Sequence, residues 1–256
     1  MRSESKGLRL PGLTAAVIIT FGWWLITATG LVRSAFLPPL NEVAAAAGED
    51  WRNMLEATTA SMWPAFVGYV VGFMAAVVVG MVVGRYARVE IWSSGSIDFF
   101  RAIPAVAIVP LALLIFGDTF RVEVFAVAWA VFFLSIINVV GGVRHVPETL
   151  EMAARSFGGT ETVVLRKVAV PWLLPFFMSS LRQNVSVALI VIVVSDMVIG
   201  LSGLGFYILR NQGKAIFDRM YAAIVIISVI GYASYKLLEV LQYRLFPWWS
   251  DAGTSS

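Results

Sequence analysis

Residues 10–32, 57–84 and 124–143 of this chain carry no charged side chain. Each run matches the roughly 20 helical residues that cross about 30 Å of hydrocarbon. In lipid every backbone N–H and C=O must be paired within the protein, which commits such runs to helices. Composition agrees: 59% of the 256 residues are hydrophobic and 14% charged, against about 25% charged in soluble domains. The expected fold class is therefore an all-α integral membrane protein.

Three further spans are readable. Residues 102–117 form a charge-free stretch between Arg101 and Asp118, short for a crossing unless its helix starts near Ile97. Residues 168–200 are interrupted only by Arg182 and Asp196, and a last span runs from about 220 to 235 with an amphipathic extension toward Phe246. Six spans are predicted, in one transmembrane unit over 1–256 with a core at 57–246 and short tails at 1–9 and 247–256. Arg2, Lys6 and Arg9 precede the first run as in a signal peptide, but the run is too long and lacks a clean small-residue cleavage site.

Lys and Arg are retained on the cytoplasmic side of a membrane. With six spans, the side holding both termini and the loops near 85–101 and 144–167 carries twelve of them, and the opposite side six. Both termini are thus predicted to be cytoplasmic. The net charge of +3 follows from these inner loops and gives no support to nucleic-acid binding. With no cysteine, thiolate metal sites and disulfides are excluded.

Between the fourth and fifth spans lies a polar island. Pro147 suits a first helical turn, and Glu148 and Glu151 favour the positive end of a helix dipole. Leu150, Ala153, Ala154 and Phe157 then fall on one helical stripe. Gly158-Gly159 can stop this helix in a left-handed turn, Thr160 can cap a second one, and Pro171 biases Val170 away from helical geometry. The predicted result is a helix-turn-helix knob. Its stripe, with Phe157 as anchor, fits either a partner's groove or lipid headgroups.

The spacing of Ala153-Ala154, Gly158, Val168, Val170 and Pro171 resembles the EAA loop of ATP-binding-cassette (ABC) importer permeases. The likeness covers about residues 21–249 and is similar to the nitrate/sulfonate/taurine-type branch. It includes Arg101-Ala102-Ile103-Pro104 with Pro110-Leu111 and Phe116-Gly117, Phe132-Phe133 with Asn138 and Gly142-Val143-Arg144, and Gly203-Leu204-Gly205-Phe206. Phe36-Leu37-Pro38-Pro39 and Leu245-Phe246-Pro247-Trp248 also fit.

The resemblance implies a type I ABC importer permease fold with a cytoplasmic coupling helix in the loop 147–171. Glu151, Met152, Ala153, Ala154, Phe157, Gly158 and Pro171 would couple to an ATPase. It further implies a homodimer in a bacterial inner membrane, two cytoplasmic ATPases that bind the ATP and Mg while this chain holds no cofactor, and an external solute-binding protein. The solute would be a small anion such as a sulfonate, taurine or nitrate. Two residues depart from the pattern. Met152 stands where the loop's first glutamate is expected, with Glu151 one residue earlier, so that glutamate's salt bridge would be absent or displaced. Asp196 stands for a glutamate before the Gly-Leu-Gly turn.

Charges at membrane depth cost roughly 2.5–3.5 kcal/mol on insertion scales and usually face a bundle interior or wet cavity. Arg182 and Asp196 are fourteen residues apart, nearly four turns, which places them on about one helical face. Ser186 lies near that stripe, and Asn138 on the fourth span could join it. These four residues are the candidate translocation pathway. The competing reading has Arg182 and Asp196 snorkel to opposite membrane surfaces.

His145, the single histidine, is read as a surface side chain. Trp23-Trp24, Trp51 and Trp248-Trp249 are read as interface or packing aromatics. Gly68, Gly72, Gly80 and Gly84 permit close helix contact, within or between subunits. No G-x-x-x-x-G-K-[ST] occurs, and Gly213-Lys214 is followed by alanine. No catalytic set shares one membrane depth, so the chain is not read as an enzyme. The alternative function is an ion-coupled secondary carrier using Arg182 and Asp196.

Overall fold

The computed structural model describes residues 11–33 and 36–245, and every element within them is helical. In chain order these are α1 (Pro11–Ala28), α2 (Leu40–Glu49), α3 (Trp51–Arg85), α4 (Ala87–Arg101), α5 (Ala105–Phe116), α6 (Thr119–Arg144), α7 (Glu148–Ser156), α8 (Glu161–Val164), a π-helical turn (Leu165–Ala169), α9 (Val170–Ile199), α10 (Gly203–Gly213) and α11 (Phe217–Leu245). The tails at 1–9 and 247–256, with Phe246 and Trp248-Trp249, lie outside the described residues.

Among the described residues four helical stretches are long and apolar enough to cross a membrane: α3, α6, the run Glu161–Ile199 and α11. They coincide with the second, fourth, fifth and sixth predicted spans. The apolar stretch Val17–Ala28 of α1, shorter than a full crossing, coincides with the first. The third is not a straight helix. It begins at Ala87, breaks at residues 102–104 and resumes as α5 with a bend of 89°. Pro104 explains the break, since it donates no N–H and pushes Ile103 out of helical geometry.

Glycine sets the central helix pair. A Cβ at Gly68 would lie 2.6 Å from Val124 O, and one at Gly72 2.4 Å from Ala128 O. Farther along, Gly80 faces Val139 and Gly84 faces Val143. The glycine stripe is thus spent within the chain, against α6. Residue numbers rise together along both helices, so α3 and α6 run parallel. The chain between Arg85 and Thr119 must therefore return across the whole thickness, which makes the bent pair α4–α5 a crossing.

α9 runs antiparallel to both, as two hydrogen bonds on each side fix. Ser61 Oγ donates to Asp196 Oδ2 and Tyr69 Oη to Leu181 O, each at 2.6 Å, while Asn138 Nδ2 reaches Ser180 Oγ and Asn184 Nδ2 reaches Ser135 Oγ at 3.2 and 2.5 Å. α11 in turn runs antiparallel to α9, with Gly231 against Leu189 and Tyr235 against Arg182. The core between α3, α5, α6 and α9 includes Val109, Val122, Val127, Val131 and Ile192, all fully buried. A second cluster, Val43, Met54, Leu204, Tyr207, Ile208, Ala222 and Ala223, fills the end of the bundle away from α7.

Candidate functional site

The polar island forms two helices at one end of the bundle, here called the loop end. Pro147 precedes the first helical residue, Glu148, with φ −61° and ψ 125°, one place earlier than the sequence reading put it. The predicted stop is present. Gly158 has φ +78°, its N–H bonds Arg155 O, and Gly159 N–H bonds Ala154 O, both at 2.9 Å. That pattern is a Schellman motif, and the left-handed residue is a glycine because a Cβ is strained there.

Two expectations for the second helix need correction. Thr160 occupies the N-cap position, but its side chain makes no capping bond. Pro171 does not end the helix, and Val170 is itself helical, with φ −59° and ψ −50°. The π-helical turn Leu165–Ala169 just before it takes up the disturbance, widening the ladder where Pro171 cannot donate.

Of the residues assigned to coupling, Phe157 is 93% exposed at the C-terminal end of α7. Met152 and Ala153 are exposed as well, as is Leu150 of the same stripe, and Ala154 is half-buried. Glu151 turns the other way. Its carboxylate accepts two bonds from Arg85 Nη1, at 2.9 and 3.1 Å. Arg85 Nε donates to Glu161 Oε1 at 2.6 Å, and Arg155 Nη2 donates to the other Glu161 oxygen at 2.5 Å. Glu151, one residue before Met152, therefore makes a salt bridge that closes on the last residue of α3. Arg144, ending α6, pairs with Glu90 of α4. Arg85 was not singled out in the sequence, because a partner 66 positions away leaves no local pattern.

The four pathway candidates are not brought together. Asp196 is fully buried near the far end of the bundle. Its Oδ2 accepts from Ser61 Oγ and from Gly205 N–H at 3.1 Å, and the Glu123 carboxyl, 3% exposed, lies within hydrogen-bonding reach. Ser61 Oγ also accepts from Leu204 N–H at 2.7 Å. Asp196 thus holds the Gly-Leu-Gly turn, now the first turn of α10, against α3. Arg182 is half-buried, and its guanidinium lies over the Tyr235 ring of α11 at 5.3 Å. Asp196, fully buried, therefore does not reach a surface. Ser186 is exposed.

Asn138 joins a buried polar seam between α6 and α9, in which Ser180, Asn184 and Ser135 are at most 2% exposed. Sequence reading missed Asn184, Ser61 and Glu123, although a buried carboxylate one turn into α6 was visible as Glu123 beside the charge-free run. At the far end Asp50 accepts from Tyr207 Oη at 2.6 Å, Asn53 Nδ2 at 2.5 Å and Arg219 Nη1 at 3.4 Å. Burial opposes its charged form, but these donors and the nearby Arg210 outweigh it and hold the carboxyl below its ordinary range. His145 bonds Gly141 O of its own helix. Among the described residues no three of His, Cys, Asp or Glu stand together as a metal set.

A family description, binding-protein-dependent transport system inner membrane component, matches residues 68–248. The chain belongs to this family. It is 30% identical over 254 residues to a probable ABC transporter permease protein of Brucella melitensis, covering 97% of this chain and all of that one. It is 27% identical to the taurine transport system permease protein of Escherichia coli, covering 92% of this chain and 88% of that one. Among solved structures, an amino acid ABC transporter aligns with TM-score 0.62 at 19% identity, over 78% of this chain and 97% of the other. The inward-facing methionine transporter MetNI aligns with TM-score 0.59 at 19% identity, over 75% and 94%. These likenesses establish the type I ABC importer permease fold. The chain is a membrane-embedded transport component.

Proposed function

We propose that this chain is the translocating subunit of an ATP-driven importer for a small anionic solute, with the loop 147–171 docking a separate ATPase. The observation that carries the reading is Phe157, 93% exposed at the end of α7. Beside it lie two small alanines, while Glu151 is tied to α3. A bulky side chain presented beside a tightly stopped turn suits a groove.

The loop end is assigned to the cytoplasm by the twelve-to-six excess of Lys and Arg. Two copies of the chain form the pathway, two ATPases bind ATP and Mg beneath them, and an external binding protein delivers solute. ATPase closure would move the loops and rock the bundle between inward-open and outward-open states. The likeness to a taurine transport permease supports a sulfonate or taurine-like solute. The ion-coupled carrier loses its support because Arg182 and Asp196 bind different helices.

The test uses Ala154→Glu and Gly158→Val. Both should leave the protein in the membrane and abolish co-purification with its ATPase, since an unpaired charge or a strained turn disrupts the docking face. Undiminished co-purification and uptake in both variants would refute the docking role.

A further inference from the structure

Arg85 ends the 35-residue helix α3 and touches both helices of the loop at once. One guanidinium nitrogen holds Glu151 of α7, while Nε and the remaining nitrogen hold Glu161 at the start of α8. Arg155, from the last turn of α7, closes a second bond onto Glu161. A planar guanidinium bridges two carboxylates in fixed directions, which a lysine ammonium cannot do. Just inside this clamp, Gly80 and Gly84 bring α3 into close contact with Val139 and Val143 of α6. The loop is thus fastened to a helix pair that is itself closely packed.

The covalent exit from the loop has the opposite character. α8 is four residues long and leads straight into the π-helical turn Leu165–Ala169, followed by Pro171 and Pro175 in α9. A π turn and two prolines weaken the backbone ladder at the point where α9 leaves the loop. The loop is therefore held in two ways, by side chains onto α3 and by an irregular helical turn onto α9.

We infer that Arg85 is a positioning residue that makes the loop one rigid body with α3 and α6, while α9 flexes against that body at Leu165–Ala169. Force arriving on the loop then moves the parallel α3–α6 pair directly and reaches α9 through the bend. The inference rests on the ATPase-docking reading proposed above and specifies where the motion goes.

The chain has no native cysteine, so spin-label pairs can be placed cleanly in the complete transporter, with its ATPase and binding protein. Labels at Tyr86→Cys and Thr160→Cys, both exposed positions, report the loop against the end of α3. Labels at Thr160→Cys and Gln183→Cys report the loop against α9. With native Arg85, the first distance should stay constant between nucleotide-free and ATP-bound states while the second changes.

Arg85→Gln should retain ATPase co-purification and ATP hydrolysis, broaden the first distance and reduce uptake per ATP by roughly tenfold, the scale of mutations along coupling networks. Arg85→Lys should fall between. A first distance that shifts with nucleotide in the native chain, or native uptake per ATP in Arg85→Gln, would overturn the inference. Loss of ATPase binding by the labelled chain with native Arg85 would count against the docking reading instead, so the two failures are distinguishable.

Discussion

Gly72→Ala probes the helix pair on which the whole arrangement rests. The added Cβ would stand 2.4 Å from Ala128 O and 2.8 Å from Ala128 Cα, where ordinary contact begins at 3.4 Å. The shortfall to the oxygen is 3.4 − 2.4 = 1.0 Å, and both atoms are backbone, so no side chain can rotate away. α3 and α6 must separate instead, loosening the contacts of Val127 and Val131 along the seam. Overpacking of this kind costs about 1–3 kcal/mol, less about 1 kcal/mol of helix propensity gained on replacing glycine by alanine. Gly141→Ala is the control, because nothing lies within 4 Å of its Cβ. It keeps the propensity gain without the clash. In a detergent melting assay, Gly72→Ala should unfold several degrees below the native protein, at roughly 2–4 °C per kcal/mol for a chain of this size. Gly141→Ala should match or exceed it. Equal melting temperatures for the two variants would refute the parallel close packing of α3 on α6.

Two further outcomes follow from the far end of the bundle. Asp196→Asn should fold and melt near the native temperature, since the amide oxygen can still accept from Ser61 and Gly205 and the NH2 can donate to Glu123. Asp196→Leu should be destabilised by about 1–3 kcal/mol, the usual penalty for stranding a buried donor. Similar melting of both variants would show that these bonds do not hold the turn. For Asp50 the sign is set by a folded pKa held below the ordinary 3.8. Its stabilising contribution is present above that value and is lost as pH falls through the lower folded value. Asp50→Asn should therefore flatten the acid limb of a melting-temperature profile below about pH 4, and an unchanged profile would exclude Asp50 as its source.

The spans were legible because hydrocarbon thickness imposes a length that charge-free runs advertise. Even the break in the third span had a local signal, Ile103-Pro104. The loop's Schellman stop was likewise written in Gly158-Gly159. Illegible were the features that depend on which helix faces which. The glycine stripe announced a close partner but not α6, and Arg85 announced nothing, its partners being 66 and 76 residues away. Asp196 and Arg182 share a helical face by spacing, yet that face meets α3 and α10 at one level and α11 at another. Periodicity fixes an azimuth on one helix and is silent about the neighbours around it.

The claim that the loop docks an ATPase is tested most directly at Phe157. A photoreactive cysteine-linked probe at Phe157→Cys, the sole thiol in the chain, is illuminated in native membranes containing the whole transporter. The account expects an adduct with the nucleotide-binding subunit, obtained when the probe is applied to inside-out vesicles and not when an impermeant form is applied to intact cells. Labelling from the cell exterior, or efficient probe attachment on the inner side with lipid as the sole partner, would contradict it.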